Sequence, residues 1–350
     1  MATATAPIDM TDETEWSTSH PVALALGHAT EQSARAAASW LGHGEPIDLS
    51  RAARVAMKRA LDDAPFGAEI VIGDGPDETN HRSPLSVGKR YGIKDPAPPL
   101  DLALDPTEGA SFLTRGQTNA LSIAALAPAD AMLRPGPAFY MAKFAGPPEV
   151  QGIIDPAAPV PEILETLARA LGKTVRDLRV FVLEKPRHRR LIETIEGAGA
   201  RVASFPAGDI AGVLMAATPD SGIDAMMGTG GCSEGIISAC AARAIGGVFC
   251  GRFDPQLSTE HAAVREAGLS TERWMDADDF VKTRNVLVAA TGITTGLVLD
   301  GVERTLHAER TQTLILSGTT RDRVITTAYR SLGDGHEYVD WLEAAGDALQ

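Results

Sequence analysis

An α/β fold follows from three features of this 350-residue chain. Between residues 179 and 250, β-branched or aromatic runs alternate with apolar-periodic stretches. Strands of about five residues alternating with helices of about ten mark βαβ units and a parallel sheet. In the first half, two helical patterns precede short apolar runs that end in acidic loops bearing Pro and Gly. The balance of 44% hydrophobic to 22% charged residues is that of a globular protein and excludes wholesale disorder.

Taken in order, residues 1–20 are Thr-rich and acidic, lack the basic and apolar segments of a signal peptide, and are expected to form a floppy tail. Helices are expected over 29–40, ended by Gly42, and over 49–61, with Ser50 as the N-cap residue. A strand over 69–72 enters Gly73-Asp74-Gly75-Pro76, one over 100–104 enters Asp105-Pro106-Thr107-Glu108-Gly109, and a third covers 120–127. Pro135, Pro137, Pro147 and Pro148 punctuate residues 134–150, where the domain boundary is placed. Strands then fall over 179–183, 201–205, 223–227 and 247–250, with helices over 188–196, 209–217 and 233–244 between them. The expected division is a tail over 1–20, a domain over 21–145, a second over 146–335 and a C-terminal tail over 336–350.

Composition narrows the function. Aromatics are only 5% and the formal charge is -14, so a nucleic-acid surface is not expected. Three cysteines, Cys232, Cys240 and Cys250, lack paired metal-site spacing and point to a reducing compartment. No apolar run reaches the ~18–20 residues of a membrane span. A soluble cytoplasmic protein is expected, as a homo-oligomer, with no nucleic acid or membrane partner.

An acidic protein that takes phosphorylated metabolites needs metal ions or local cations. Asp74, Asp105 and Glu108 lie in loops that follow apolar strands. Carboxylates so placed suit hard cations such as Mg²⁺ or Mn²⁺, and they equally populate solvated turns. The loop over 228–234 carries three glycines and opens a helix, a place that favours phosphate or a carboxylate. Ser233 is its expected N-cap, and Glu234 reads either as a metal ligand or as a complement to the helix dipole. Lys185 and Arg187 follow a strand whose carboxyl end is where such sheets bind ligands, and they are placed to hold a phosphate. Arg189 and Arg190 read as a solvated helix face, and His188 and the cysteines as packing. Carboxylates for metal in one half and cations for phosphate in the other together point to metal-assisted phosphoryl transfer to water.

From about Glu31 to about Leu332 the sequence resembles the class II fructose-1,6-bisphosphatases, within the lithium-sensitive, metal-dependent sugar phosphatases. The resemblance rests on Val71-Ile72-Gly73-Asp74-Gly75, Asp105-Pro106-Thr107-Glu108-Gly109, Gly116-Gln117-Thr118-Asn119-Ala120, Tyr140-Met141-Ala142-Lys143, Lys185-Pro186-Arg187-His188, Gly228-Thr229-Gly230-Gly231 with Glu234-Gly235, and Ala290-Thr291-Gly292-Ile293-Thr294. It implies a layered α/β/α/β/α architecture, with an α+β half that holds metal followed by a mostly parallel α/β half that holds substrate. It implies Mn²⁺ or Mg²⁺ on Asp74, Asp105, Glu108 and Glu234, with Asp74, Asp105 and Glu108 catalytic. Substrate would be held by Glu108, Gly109, Ala110, Tyr140, Lys185, Pro186, Arg187, Asp209 and Gly231. The implied activity is removal of the 1-phosphate of fructose 1,6-bisphosphate. This chain departs from the pattern at Asp74 and Ala207, where the family has Glu and Asp, and at Ser50 and Ala110, where it has an Asp and a Thr that help activate the attacking water. Two readings stand: a divergent sugar-phosphate phosphatase, and a sugar-phosphate-binding protein with weakened catalysis and a regulatory or scaffolding role.

Overall fold

The computed structural model describes residues 16–43, 46–73, 83–93 and 99–332. The expected C-terminal tail, most of the N-terminal tail and Asp74 lie outside them. The chain forms two units, one from the residues up to Asp130 together with those from Asn285 onward, the other from Ala131–Arg284.

The first unit begins before the expected end of the tail. Trp16 is fully buried in the hydrophobic core and its carbonyl accepts from the Ser317 hydroxyl, so residues 16–20 are part of the fold. Helix α1 (Pro21–Ala38) starts earlier than the apolar pattern suggests, because His20 supplies the cap through Nδ1 and Pro21 sits at the first helical position. Helix α2 (Pro46–Asp62) likewise starts before Ser50, which is half-buried within the helix and so is not its N-cap. Strands β1 (Gly67–Ile72), β2 (Arg90–Gly92), β3 (Leu100–Glu108) and β4 (Leu121–Ala127) follow, with the short helix α3 (Ala110–Leu113) between β3 and β4.

The second unit contains β5 (Tyr140–Gly146), α4 (Val160–Ala170), β6 (Arg179–Leu183), α5 (Arg189–Gly197), β7 (Arg201–Phe205), α6 (Asp209–Ala217), β8 (Ala225–Gly231), α7 (Cys232–Ile245), β9 (Val248–Phe253), α8 (Ser258–Glu266), β10 (Met275–Asp276) and α9 (Ala277–Phe280). The chain then returns to the first unit with β11 (Leu287–Gly292), β12 (Glu303–Arg304), β13 (Ala308–Ser317) and β14 (Arg323–Ser331).

Among the described residues the first sheet has eight strands, ordered β12-β13-β11-β4-β3-β1-β2 with β14 along β13. Only β1 and β3 pair in parallel there. Helix α1 lays Val22, Ala23, Leu26 and Ala29 against Ile70, Leu102, Leu126 and Ile315 in one core. The expected boundary near residue 145 is therefore corrected to residue 130, and the second unit ends at 284 rather than 335. Antiparallel strands need no crossover helix, so β11 can return beside β4, with Ala289 opposite Ala124.

The second sheet is ordered β10-β9-β5-β8-β6-β7. β6 pairs in parallel with β7 and β8, as the βαβ rhythm predicts. The proline-rich stretch expected to hold the domain boundary instead contains β5, which inserts antiparallel between β8 and β9. Its flanking prolines stop the strand at both ends, where a missing N–H costs nothing. The α/β class holds, with both sheets mixed. Among the described residues no helix is long and apolar enough to cross a membrane.

Candidate active site

In the second unit β6, β7, β8 and β9 run the same way, so their carboxyl ends share one edge of the sheet. β5 runs oppositely and brings its first residue there, with Tyr140 opposite Gly231. That edge gathers Tyr140, Lys185, Pro186, Arg187, Asp209, Gly231 and Glu234 from segments spread over about a hundred residues of chain, as ligand sites in such sheets do.

Arg187 is exposed, donates from Nε to the Thr229 carbonyl at 2.9 Å, and places its guanidinium 5.3 Å from the centre of the Tyr140 ring. Burial pushes the Lys185 ammonium down from its ordinary value, the Arg187 charge adds to this, and Asp209 opposes it. An anion between the two cations relieves their repulsion. His188 is buried and works as a pin. The Thr229 N–H can only donate, so Nε2 accepts it at 2.8 Å, and Nδ1–H donates to the Leu183 carbonyl at 2.8 Å. Burial lowers its pKa, and the neutral ring ties the loop after β6 to the glycine loop.

Asp209 opens α6 after Gly208, whose φ of 90° is open to glycine at little cost. Its carboxylate is ion-paired with Lys143, and both side chains are buried. The pair packs against Gly230, where a Cβ would collide with the Asp209 carboxylate, while one on Gly231 would collide with that of Glu234. Two bare backbone positions thus let three charged groups converge. Glu234 lies in the first turn of α7, whose N-cap is Gly231 and not the expected Ser233, because β8 runs straight into the helix. Burial pushes the Glu234 carboxyl up, Asp209 adds to this, and Lys143 offsets part of it.

The sequence assigned no role to Lys143, although a lysine before Phe144-Ala145 in an apolar run signals a buried countercharge. Asp254 and Glu260 were missed entirely. Cys232 and Cys240 are buried, and burial pushes the Cys232 thiol up to about 12 and that of Cys250 to about 11, which makes both poor nucleophiles.

In the first unit β3 runs past Leu104 to Glu108. Asp105 pairs with Ile123 and Glu108 with Leu121, so one extra residue bulges at Pro106-Thr107. Asp105 accepts the Thr107 N–H at 2.9 Å, and Ser33 of α1 donates to the Pro106 carbonyl at 3.1 Å. This bulge sets Asp105 and Glu108, the latter 4% exposed, at the end of the strand. Gly109 takes a φ of 83° and Ala110 begins α3. The expected ligand set is thereby divided: Asp105 and Glu108 in the first unit, Glu234 in the second, and Asp74 outside the described residues. Among the described residues no three His, Cys, Asp or Glu side chains gather as a ready metal site. Two other motifs staple each other, since Thr294 Oγ1 accepts the Ala120 N–H at 3.0 Å and the Ala120 carbonyl accepts the Ile293 N–H at 2.9 Å.

Comparison with known proteins identifies relatives over most of the chain. Over 310 residues the chain is 35% identical to the Escherichia coli K12 protein named fructose-1,6-bisphosphatase 2 class 2, covering 85% of this chain and 95% of that one. It is 34% identical over 313 residues to the Haemophilus influenzae fructose-1,6-bisphosphatase class 2, covering 86% and 93%. Against the E. coli K12 fructose-1,6-bisphosphatase 1 class 2 the identity is 33% over 313 residues, covering 86% and 92%. The family model described as bacterial fructose-1,6-bisphosphatase, glpX-encoded, matches residues 20–329, and the chain belongs to that family.

Proposed function

We propose that this chain is a divalent-metal-dependent phosphatase acting on a sugar bisphosphate, with fructose 1,6-bisphosphate as the first substrate to test. The observation that carries the reading is the cation pair Lys185 and Arg187 at the carboxyl edge of a sheet, with the Arg187 guanidinium over the Tyr140 ring, in a chain of this family. In an otherwise acidic protein, this pair is placed to hold the phosphate that is not cleaved. Asp209, ion-paired with Lys143, accepts from a sugar hydroxyl, and Gly231 leaves room for the substrate at the start of α7. In the first unit the resemblance names Glu108, Gly109 and Ala110 as further substrate contacts.

The resemblance names Asp74, Asp105, Glu108 and Glu234 as metal ligands, of which Asp105 and Glu108 belong to the first unit and Glu234 to the second. The donor set is all carboxylate oxygen, as Mn²⁺ and Mg²⁺ require. When bound, the metal contributes Lewis-acid polarisation of the phosphoryl group. In the hydrolysis, water adds to phosphorus, the ester P–O bond breaks, and the water proton ends on the departing sugar oxygen.

Ser50 and Ala110 favour a second reading. A hydroxyl within α2 and a methyl at the start of α3 stand where the resemblance expects the Asp and Thr that activate water. The chain then binds sugar bisphosphate well and turns it over slowly. Phosphate release from a panel of sugar mono- and bisphosphates with Mn²⁺ tests both. Release from a bisphosphate supports the first reading, tight binding without release supports the second, and neither binding nor release sinks both.

A further inference from the structure

Glu260 belongs to no motif of the chain, yet it is 7% exposed and its carboxylate is spent entirely on backbone N–H groups near the site. Oε1 accepts from Phe139 and from Tyr140, each at 2.7 Å, and Oε2 accepts from Gln256 at 2.9 Å. A carboxylate that accepts several charge-assisted hydrogen bonds is a strong local anchor. It sits in the first turn of α8, where an acid would ordinarily complement its own helix; here it reaches to the first strand of the unit instead.

The two residues it holds are themselves connectors. The Phe139 carbonyl accepts the N–H of Cys232, the first residue of α7, at 2.8 Å. The Tyr140 carbonyl accepts the N–H of Asp254 at 2.9 Å, and the Asp254 carboxylate accepts the Thr229 hydroxyl at 2.8 Å. Thr229 in turn receives Arg187 on its carbonyl and presents its N–H to His188. Three loops and the face on which the Arg187 guanidinium lies are therefore joined in one hydrogen-bonded belt, with Glu260 at its end.

We propose that Glu260 is a positioning residue for substrate binding: its carboxylate sets the backbone at Tyr140, and through it the register of the Tyr140 ring, the Arg187 guanidinium and the start of α7. This rests on the proposed role of Tyr140 and Arg187 as substrate contacts. Glu260 touches no reacting atom, so its loss acts on substrate affinity more than on turnover.

The test is steady-state kinetics on the full chain with fructose 1,6-bisphosphate and Mn²⁺, alongside thermal unfolding. Glu260→Ala raises KM about tenfold, since small misplacements of binding groups cost that much or more, and leaves kcat within about twofold. Glu260→Gln keeps an acceptor for Phe139 and Tyr140 and loses only the one for Gln256, so its KM stays near that of the parent protein. Asp224→Ala is the matched control. Asp224 is also buried and accepts the Arg179 N–H at 2.8 Å, but at the opposite end of β6. It lowers the melting temperature and leaves KM unchanged. Should Glu260→Ala fail to fold, Glu260→Asp, whose shorter arm cannot reach both loops, carries the same expectation. A KM that moves no more in the Glu260 variants than in Asp224→Ala overturns the inference. Tyr140→Ala separates the two levels: if KM is insensitive to that change, the substrate-site reading itself fails.

Discussion

Replacing Lys143 by Met probes the centre of the candidate site. The Lys143 side chain is fully buried, and its partner Asp209 is 7% exposed. Removing one member of such a pair strands the other charge without water, which costs about 3–5 kcal/mol. For a unit of this size each kcal/mol moves the midpoint about 2–4 °C, so a drop of about 6–20 °C is expected. Urea unfolding followed by far-UV circular dichroism measures the loss, and Lys143→Met with Asp209→Leu recovers most of it, because two apolar groups replace the pair. Phosphatase activity does not return in the double variant, since Asp209 is also a proposed substrate contact. A loss below about 1 kcal/mol, the range of a solvated ion pair, refutes the buried pairing.

Further predictions address both units. Burial pushes the Glu309 carboxyl up, but hydrogen bonds and charge from Arg304 and Arg35 outweigh it and hold the folded-state pKa below the ordinary carboxylate value. A lowered folded pKa stabilises above the unfolded value and is lost as pH falls through the folded one. Glu309→Gln therefore lowers stability at neutral pH and flattens the acid limb of the stability profile; an unchanged acid limb removes Glu309 as its source. Arg187→Ala weakens sugar bisphosphate binding by about 1.5–3 kcal/mol, the range for a charged hydrogen bond, and an equal loss from Arg190→Ala in titration calorimetry points to diffuse charge instead. Asp105→Asn sharply weakens Mn²⁺ binding by calorimetry, and unchanged affinity sinks the ligand assignment. Positioned general-base assistance is worth about 10²–10⁴ in rate, so Ser50→Asp with Ala110→Thr raises turnover more than either change alone; a parent protein already as fast as its relatives contradicts that reasoning.

Much of the second unit was legible in the sequence. Strands over 179–183 and 201–205 and the helix over 209–217 match the structure residue for residue, because apolar period and flanking Gly or Pro are local signals. The rule that ligands gather beyond parallel carboxyl ends singles out Lys185, Arg187 and the glycine loop from sequence alone. β5 was hidden for an equally physical reason. Prolines at 135, 137, 147 and 148 read as a domain boundary, yet Pro tolerates a strand's ends, and only pairing with β8 and β9 shows that the seven residues from Tyr140 are one of its central strands.

What the sequence determined by itself was chemistry and local form: the acidic charge, the family motifs, the cations after β6 and the carboxylates that end β3. Tertiary structure decided which strands became neighbours and which charges met. Leu287 pairs with Leu126, and Glu260 reaches the N–H of Tyr140, 120 residues away. No local period encodes such partners, because a backbone N–H is the same donor at every position and only the packed fold selects the carboxylate that answers it.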